Sequence, residues 1–96
     1  MTAFSLPPEH PCFAGHFPGR PLVPGVVLLD AVFQAIAEAG HGQVTRLRHA
    51  KFRAPVGPGV AMEIELQPLA PGRVGFRCRS GENLTLAGEV EVAFPP

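Results

Sequence analysis

The chain has 96 residues, 46% hydrophobic and 17% charged, and its eight Lys and Arg residues balance eight Asp and Glu residues. This length suits one small domain and is too short for two, and the balanced charge gives no global field that would attract nucleic acid or a membrane surface. Because the charged share is below the usual ~25%, much apolar surface needs cover, and we expect an oligomer.

The cysteines and the N-terminal residues bear on the compartment. Cys12 and Cys78 are the only cysteines, and two distant cysteines favour free thiols in a reducing compartment. The N-terminal residues lack the basic and apolar regions of a signal peptide. Asp30, Gln34 and Glu38 interrupt the longest apolar stretch, whereas a membrane span needs about 18 apolar residues in succession. We therefore expect a soluble cytoplasmic protein with no membrane partner.

The first half of the chain predicts one short strand, a long loop and one helix. The strand covers Thr2–Leu6, and the loop covers Glu9–Gly25. Its many prolines and glycines restrict or redirect the backbone, which favours a rigid, specifically shaped loop. The helix runs from about Val26 to Ala39, where Gly40 supplies a stop signal.

The second half of the chain predicts an antiparallel meander with one apolar face. Glycine- and proline-containing turns separate four segments of strand character, which are Val44–Val56, Ala61–Leu69, Val74–Arg79 and Leu84–Phe94. Apolar and polar residues alternate with a period of two in the later strands. We predict an α+β fold, a single domain over residues 1–96, in which about five antiparallel strands wrap around one long central helix.

The helix carries one polar stripe, because Asp30, Gln34 and Glu38 recur at intervals of four. The rest of its surface is apolar, which predicts a buried helix. Burial would raise the pKa of the Asp30 carboxyl and make it a proton donor near neutrality. His16 in the loop suits a general base. Gly25 at the helix start offers backbone N–H groups to a developing negative charge.

These three groups would permit proton abstraction next to a carbonyl. The alternative is a structural His16 and an Asp30 that faces solvent. A metal site from His10, Cys12 and His16 lacks a fourth ligand, and we expect no metal. The basic residues Arg46, Arg48 and Lys51 belong to a run that is either a solvated strand face or a docking patch for an acidic partner or a phosphate.

Residues His10 to Gln34 resemble the active-site segment of the hotdog-fold 3-hydroxyacyl-acyl carrier protein dehydratases. The resemblance rests on G-H-F-P-G at Gly15–Gly19, on Pro24-Gly25 at the helix start, and on Asp30 fourteen positions after His16. Gln34 and the later segment K-F-R-A-P-V-G-P-G, which begins at Lys51, extend it. The chain resembles the compact dehydratases of aryl-polyene pigment clusters about as well.

The resemblance implies a lyase that removes water from a 3-hydroxyacyl thioester on acyl carrier protein. The product would be a trans-2-enoyl thioester in fatty-acid or polyene and polyketide-type biosynthesis, formed without a metal or organic cofactor. The family's catalytic histidine falls on His16, its acid on Asp30, the amide that polarises the thioester carbonyl on Gly25, and the glutamine that orients the acid on Gln34. In the family two subunits pair their sheets and share each site, which implies a homodimer or a trimer of such dimers.

Two further residue sets are weaker candidates. Apolar side chains near the site would line an acyl tunnel or pack in the core, and these are Phe13, Phe17, Val27 and Phe33. Under the family reading, Arg46, Arg48 and Lys51 would dock the carrier protein. A hotdog acyl-thioesterase, or a non-catalytic acyl-binding subunit that pairs with an active homologue, remains an alternative because a shared fold does not fix function.

Overall fold

The computed structural model describes residues 2–5 and 23–93, which form one five-stranded antiparallel sheet and one helix. The elements in chain order are β1 (Thr2–Phe4), α1 (Gly25–Glu38), β2 (Gln43–Phe52), β3 (Met62–Ala70), β4 (Arg73–Ser80) and β5 (Asn83–Ala93). The predicted α+β class, with an antiparallel sheet of about five strands around one helix, is confirmed.

The strand order across the sheet is β1-β3-β4-β5-β2. The last three strands of the chain form the predicted meander, but β2 pairs with β5 instead of with β3, which follows it in sequence. The prediction of a continuous meander is therefore wrong for β2. The segment 53–61 is long enough to carry the chain across the sheet, and it leaves β2 as one edge strand and β1 as the other.

The apolar core lies between one face of the sheet and one face of α1. The period-two alternation of the sequence is confirmed, because alternate residues of three strands turn towards the helix. The buried apolar strand residues are Met62, Ile64, Val74, Phe76, Cys78, Leu86 and Val90. Full burial of one such aliphatic or aromatic side chain contributes about 1.5–3 kcal/mol, so this layer holds α1 on the sheet.

The helix is buried on one side only. Its buried residues Leu28, Val32, Ala35 and Ile36 follow helical spacing, and they all face the sheet. Asp30, by contrast, lies on the exposed face. The predicted burial of Asp30 is therefore wrong for the single chain, because one sheet covers only one side of a helix.

The C-terminal end of α1 shows how the sequence determines where the helix stops. At the C-terminus the N–H of Gly40 donates to the carbonyl of Ala37, and the N–H of His41 donates to the carbonyl of Ile36. This is the Schellman arrangement, which needs a left-handed residue, and Gly40 supplies it with φ 83°. The helix occupies Gly25–Glu38, one residue earlier at each end than predicted.

The strand predicted at Val44–Val56 ends early, at Phe52. The N–H groups of Arg53 and Ala54 both donate to the carbonyl of Thr85, at 2.8 and 3.4 Å, and the chain then leaves the sheet. The carbonyl of Val56 instead accepts from the N–H of Val23 at 2.7 Å. The residues after β2 thus fix the position of the helix start.

Gly88 provides a test of this packing, because it lies on the inward face of β5 opposite Phe76. A Cβ at Gly88 would collide with the carbonyl oxygen of His49 and lie 2.6 Å from Cζ of Phe76. We expect Gly88→Ala to lower the free energy of unfolding by about 3 kcal/mol, measured by urea denaturation. In the control, Gly75→Ala, the new Cβ lies 3.4 Å from Cδ1 of Leu69 and should cost less than about 1 kcal/mol. Equal losses would contradict this packing.

Candidate active site

The start of α1 presents backbone donors without a side-chain cap. The N-cap is Pro24, with an extended backbone (φ −60°, ψ 144°), and no described side chain caps the helix. The N–H groups of Val27 and Leu28 donate to the Pro24 carbonyl at 3.0 and 3.3 Å. The N–H groups of Gly25 and Val26 precede these and have no intrahelical acceptor. Together with the helix dipole, they make this end attractive to an oxygen that gains negative charge.

A cleft of about 300 Å³ opens beside this helix start. One wall is the helix start itself, and the other is the segment that follows β2. The lining residues are Val23, Pro24, Gly25, Leu28, Phe52, Arg53, Ala54, Pro55 and Val56. Because backbone hydrogen bonds fix the segment after β2, the cleft has a defined shape on both sides.

Phe52 also lines this cleft, although the sequence did not indicate it as a candidate site residue. A Cβ at Gly25 would lie 2.7 Å from Cζ of Phe52, so the ring occupies the space where a side chain at position 25 would begin. The ring is 48% exposed in the single chain. Phe52 belongs to the K-F-R-A-P-V segment that carries part of the family resemblance. Its distance from Gly25 in the sequence gives no indication that the two residues meet.

The two polar residues predicted for the chemistry, Asp30 and Gln34, both lie on the exposed face of α1. Asp30 follows Gly25 by five residues, which is about 7.5 Å along the helix axis at ~1.5 Å per residue. The amide Nε2 of Gln34 donates to Oε1 of Glu38 at 3.2 Å. Gln34 therefore bonds to a residue of its own helix in the single chain, and its orientation of Asp30 stays a prediction.

Several predicted site residues lie outside the described residues: His10, Cys12, Phe13, His16 and Phe17. Val27 and Phe33 are described, and both are partly buried against the core. A packing role for these two is thus visible, while their role in an acyl tunnel stays a prediction.

Two of the three basic residues predicted for docking, Arg46 and Arg48, form ion pairs with glutamates of β5. Arg48 lies 2.9 Å from Glu89 and 3.5 Å from Glu91, and Arg46 lies 3.7 Å from Glu91. Glu89 is only 8% exposed and also pairs with Arg73. Arg46 and Arg48 therefore belong to a cross-strand ion-pair network.

Residues 2–5 and 23–93 were also searched for a metal site, a reactive thiol and a membrane-spanning helix. No group of three or more His, Cys, Asp or Glu side chains there could hold a metal ion. Burial raises the pKa of the Cys78 thiol to about 11, so this thiol stays protonated at neutral pH and is a poor nucleophile. No helix in these two stretches is long and apolar enough to cross a membrane.

The five-stranded sheet and the helix packed on it define a hotdog-fold protein. The dehydratase heterocomplex ApeI:P from Xenorhabdus doucetiae superimposes with a TM-score of 0.81 and 25% sequence identity, over 93% of this chain and 81% of that one. The fluoroacetyl-CoA thioesterase FlK shares the fold alone, with a TM-score of 0.59 and 17% identity over 94% of this chain and 79% of FlK.

The chain belongs to the ApeI-like dehydratase family, whose model, described as ApeI dehydratase, matches residues 1–89. The 3-hydroxyacyl-[acyl-carrier-protein] dehydratase FabZ of Syntrophotalea carbinolica is 35% identical over 103 residues, which cover 92% of this chain and 69% of FabZ. FabZ of Haemophilus influenzae is 38% identical over 92 residues, which cover 85% of this chain and 61% of that protein. The predicted family and its enzyme class, a dehydratase-type lyase, are confirmed.

The contact between Phe52 and the helix start generates a prediction. Gly25→Ala should lower the free energy of unfolding by at most about 1 kcal/mol, because the end of the ring that the new methyl group meets is exposed and can move aside. In a Phe52→Ala background the same change should raise it by up to about 0.5 kcal/mol, since alanine favours a helix more than glycine does. Urea denaturation of the wild type, both single variants and the double variant measures this cycle. The same cost for Gly25→Ala in both backgrounds would contradict the contact.

Proposed function

We propose that the chain removes water from 3-hydroxyacyl thioesters carried on acyl carrier protein and releases trans-2-enoyl thioesters, in fatty-acid or polyene-type biosynthesis. The names of the FabZ relatives support the substrate class, and the matched family supports the reaction class. No metal or organic cofactor has a part in the proposed reaction, and the proposed location is the cytoplasm.

The proposed mechanism uses three groups of the chain. His16 removes the proton from C2 of the substrate as general base. The backbone N–H of Gly25 donates to the thioester carbonyl oxygen as it gains enolate character. Asp30 protonates the departing C3 hydroxyl, directly or through a water molecule, and Gln34 orients it. The C2–H and C3–O bonds break, a C2–C3 double bond forms, and water leaves.

One observation carries this proposal: the helix start, which no described side chain caps, opens into a cleft beside Gly25. A thioester carbonyl in the cleft would meet an N–H donor and the positive end of the helix dipole. Arg53, which also lines the cleft, adds a cationic side chain near the place where the substrate would enter.

We further propose that the active unit is a homodimer with composite sites. Asp30 lies on a helix face that the chain's own sheet leaves uncovered. Val26 on the same face is 71% exposed, and Phe52 beside the helix start is 48% exposed. A second subunit on this face would bury both and enclose Asp30. The edge strand β2 offers unpaired backbone groups for joining two sheets.

The first test measures formation of the enoyl thioester. His16→Ala and Asp30→Ala should each lower kcat by about 10²-fold or more, because each removes a general acid or base. His41→Ala is the matched control, because it removes an imidazole just beyond the C-terminal end of α1, opposite the end that begins at Gly25. Circular dichroism and sedimentation confirm that the variants remain folded and associated. Full activity in either site variant would refute its assignment.

The second test asks whether each site joins two subunits. The inactive His16→Ala and Asp30→Ala variants are refolded together and assayed as a mixture. Random pairing makes half of the dimers mixed, and each mixed dimer carries one intact site, so about a quarter of wild-type activity should return. If His16 and Asp30 act within one subunit, the mixture should stay inactive.

A second candidate is a subunit that works only with a homologous partner, as the heterocomplex ApeI:P suggests. In that case the isolated chain would show no dehydration, and an active homologue would restore it. A thioesterase would instead release free thiol without the enoyl product. Assaying the isolated chain for both enoyl thioester and free thiol separates these candidates from the proposed one.

A further inference from the structure

The charge of strand β2 is at odds with a role in joining two copies of the chain. The strand carries Arg46, Arg48 and Lys51 and no acidic residue. Among the strands that the structure describes, it pairs with β5 alone and leaves its other edge open. Cations on an open edge oppose the pairing of two sheets. Pairing of β2 with a copy of itself would also set cation against cation, because the strand has no carboxylate to place opposite them.

Two glutamates of β5 change this on the face of the sheet that points away from α1, the outer face. Arg48 lies 2.9 Å from Glu89 and 3.5 Å from Glu91, and Arg46 lies 3.7 Å from Glu91. Since β5 lies on the side of β2 opposite to the open edge, these contacts draw both arginines away from that edge. The ion pairs therefore neutralise the arginines and hold them back from the place where a second strand would join.

A β-bulge brings one of the arginines to the glutamates. The register of β2 against β5 shifts between Leu47 and His49, so Arg48 is the extra residue of the bulge. Its side chain contacts both carboxylates. The bulge thus adds a second arginine to the two acids that already face Arg46.

Glu89 is held from its other side as well. It is only 8% exposed and pairs with Arg73 of β4. Next to it in the network, the hydroxyl of Thr45 donates to the carbonyl of Glu91 at 3.3 Å. The network therefore spans β4, β5 and β2, and it keeps both glutamates beside the arginines of the edge strand.

The other face of β2 carries apolar side chains that need cover. Leu47 and Phe52 lie opposite the buried residues Val90 and Leu86, so they face the α1 side of the sheet. They are nevertheless 38% and 48% exposed. A second copy of β2 on the open edge would cover these side chains in both subunits, because a symmetric contact uses the same surface twice.

We propose that Glu89 and Glu91 control the association of the chain with a second copy of itself, an assignment that rests on the proposed homodimer. With both carboxylates in place, Arg46 and Arg48 are neutralised and drawn towards β5, and the open edge of β2 is available for pairing. Without the carboxylates, the same arginines would make β2 an edge that charge protects against pairing.

The first measurement is the dissociation constant of the dimer, Kd, by sedimentation over a dilution series. Glu91→Gln keeps the size of the side chain and removes the carboxylate that Arg46 contacts. It should raise Kd about tenfold at about 0.01 M ionic strength, because the change occurs twice in a symmetric dimer and leaves like charges at the edge. At about 0.15 M the Debye length falls from about 30 Å to about 8 Å, and the difference from wild type should shrink to about twofold.

Two further variants separate repulsion at the edge from a general loss of stability. Arg46→Gln combined with Glu91→Gln removes the released cation and should return Kd to within about twofold of wild type. Lys51 lies opposite Ala87 and has no ion pair in the described part of the chain. Lys51→Gln should therefore lower Kd about threefold. This variant keeps both glutamates, so it tests the proposal even if Glu91→Gln does not fold.

Glu65→Gln is the matched control, because it removes an ion-paired carboxylate from β3, three strands away from β2. Its Kd should match that of wild type. The proposal would be overturned by an unchanged Kd in Glu91→Gln, by an equal rise in Glu65→Gln, or by a rise that salt does not reduce. Failure of Arg46→Gln to restore association would overturn it as well.

Enoyl-thioester formation, measured on the same samples, separates this assignment from the proposed function. If wild type forms a dimer with the expected responses but yields no enoyl thioester, the proposed function fails and the assignment stands. If wild type is active and Glu91→Gln leaves Kd unchanged, the assignment fails alone. A wild type that stays monomeric at every concentration overturns the assignment together with the homodimer.

Discussion

The sheet covers one side of α1 and leaves the other side bare, and most properties of this protein depend on that constraint. The buried side chains Leu28, Val32, Ala35 and Ile36 hold the helix on the sheet. The same packing turns Asp30 towards the outside. Under the proposed mechanism Asp30 would act as a proton donor only where a further surface encloses it. The sheet does not supply that surface, and in the proposed homodimer a second subunit would.

Residues outside the helix fix the position of its first turn. Pro24 cannot donate a backbone hydrogen bond, and no described side chain caps the first turn. The segment after β2 provides the position instead, through the hydrogen bond from Val23 to Val56 and the ring of Phe52 over Gly25. Capping the helix with a carboxylate would stabilise it locally, but it would occupy the donors that a substrate carbonyl needs. The lack of a cap among the described residues is consistent with the proposal that the first N–H groups of α1 bind a ligand.

The sequence predicted the elements well because their signals are local. Alternating residues such as Val74, Phe76 and Cys78 specify a half-buried strand, and Gly40 specifies the end of the helix. The position of β2 beside β5 was not predictable, since pairing between distant strands leaves no local signal. The contact of Phe52 with Gly25 was missed for the same reason. Burial of Asp30 was overestimated because an apolar helix surface does not tell whether the chain's own sheet or another subunit covers it.

The distribution of charge on the outer face shows how one sequence pattern can divide into two structural roles. Arg46, Arg48, Lys51 and Arg53 form one basic run in sequence, yet their partners across the sheet differ. Glu89 and Glu91 of β5 stand beside the first two, whereas Ala87 stands beside Lys51. Among the described residues, cross-strand register therefore decides which cations have a carboxylate partner. Because Ala87 is small as well as uncharged, it gives Lys51 and Arg77 no carboxylate across the strands and also leaves space between them. The pairing of Ala87 with Lys51 on one side and Arg77 on the other thus determines both the shape and the charge of this surface.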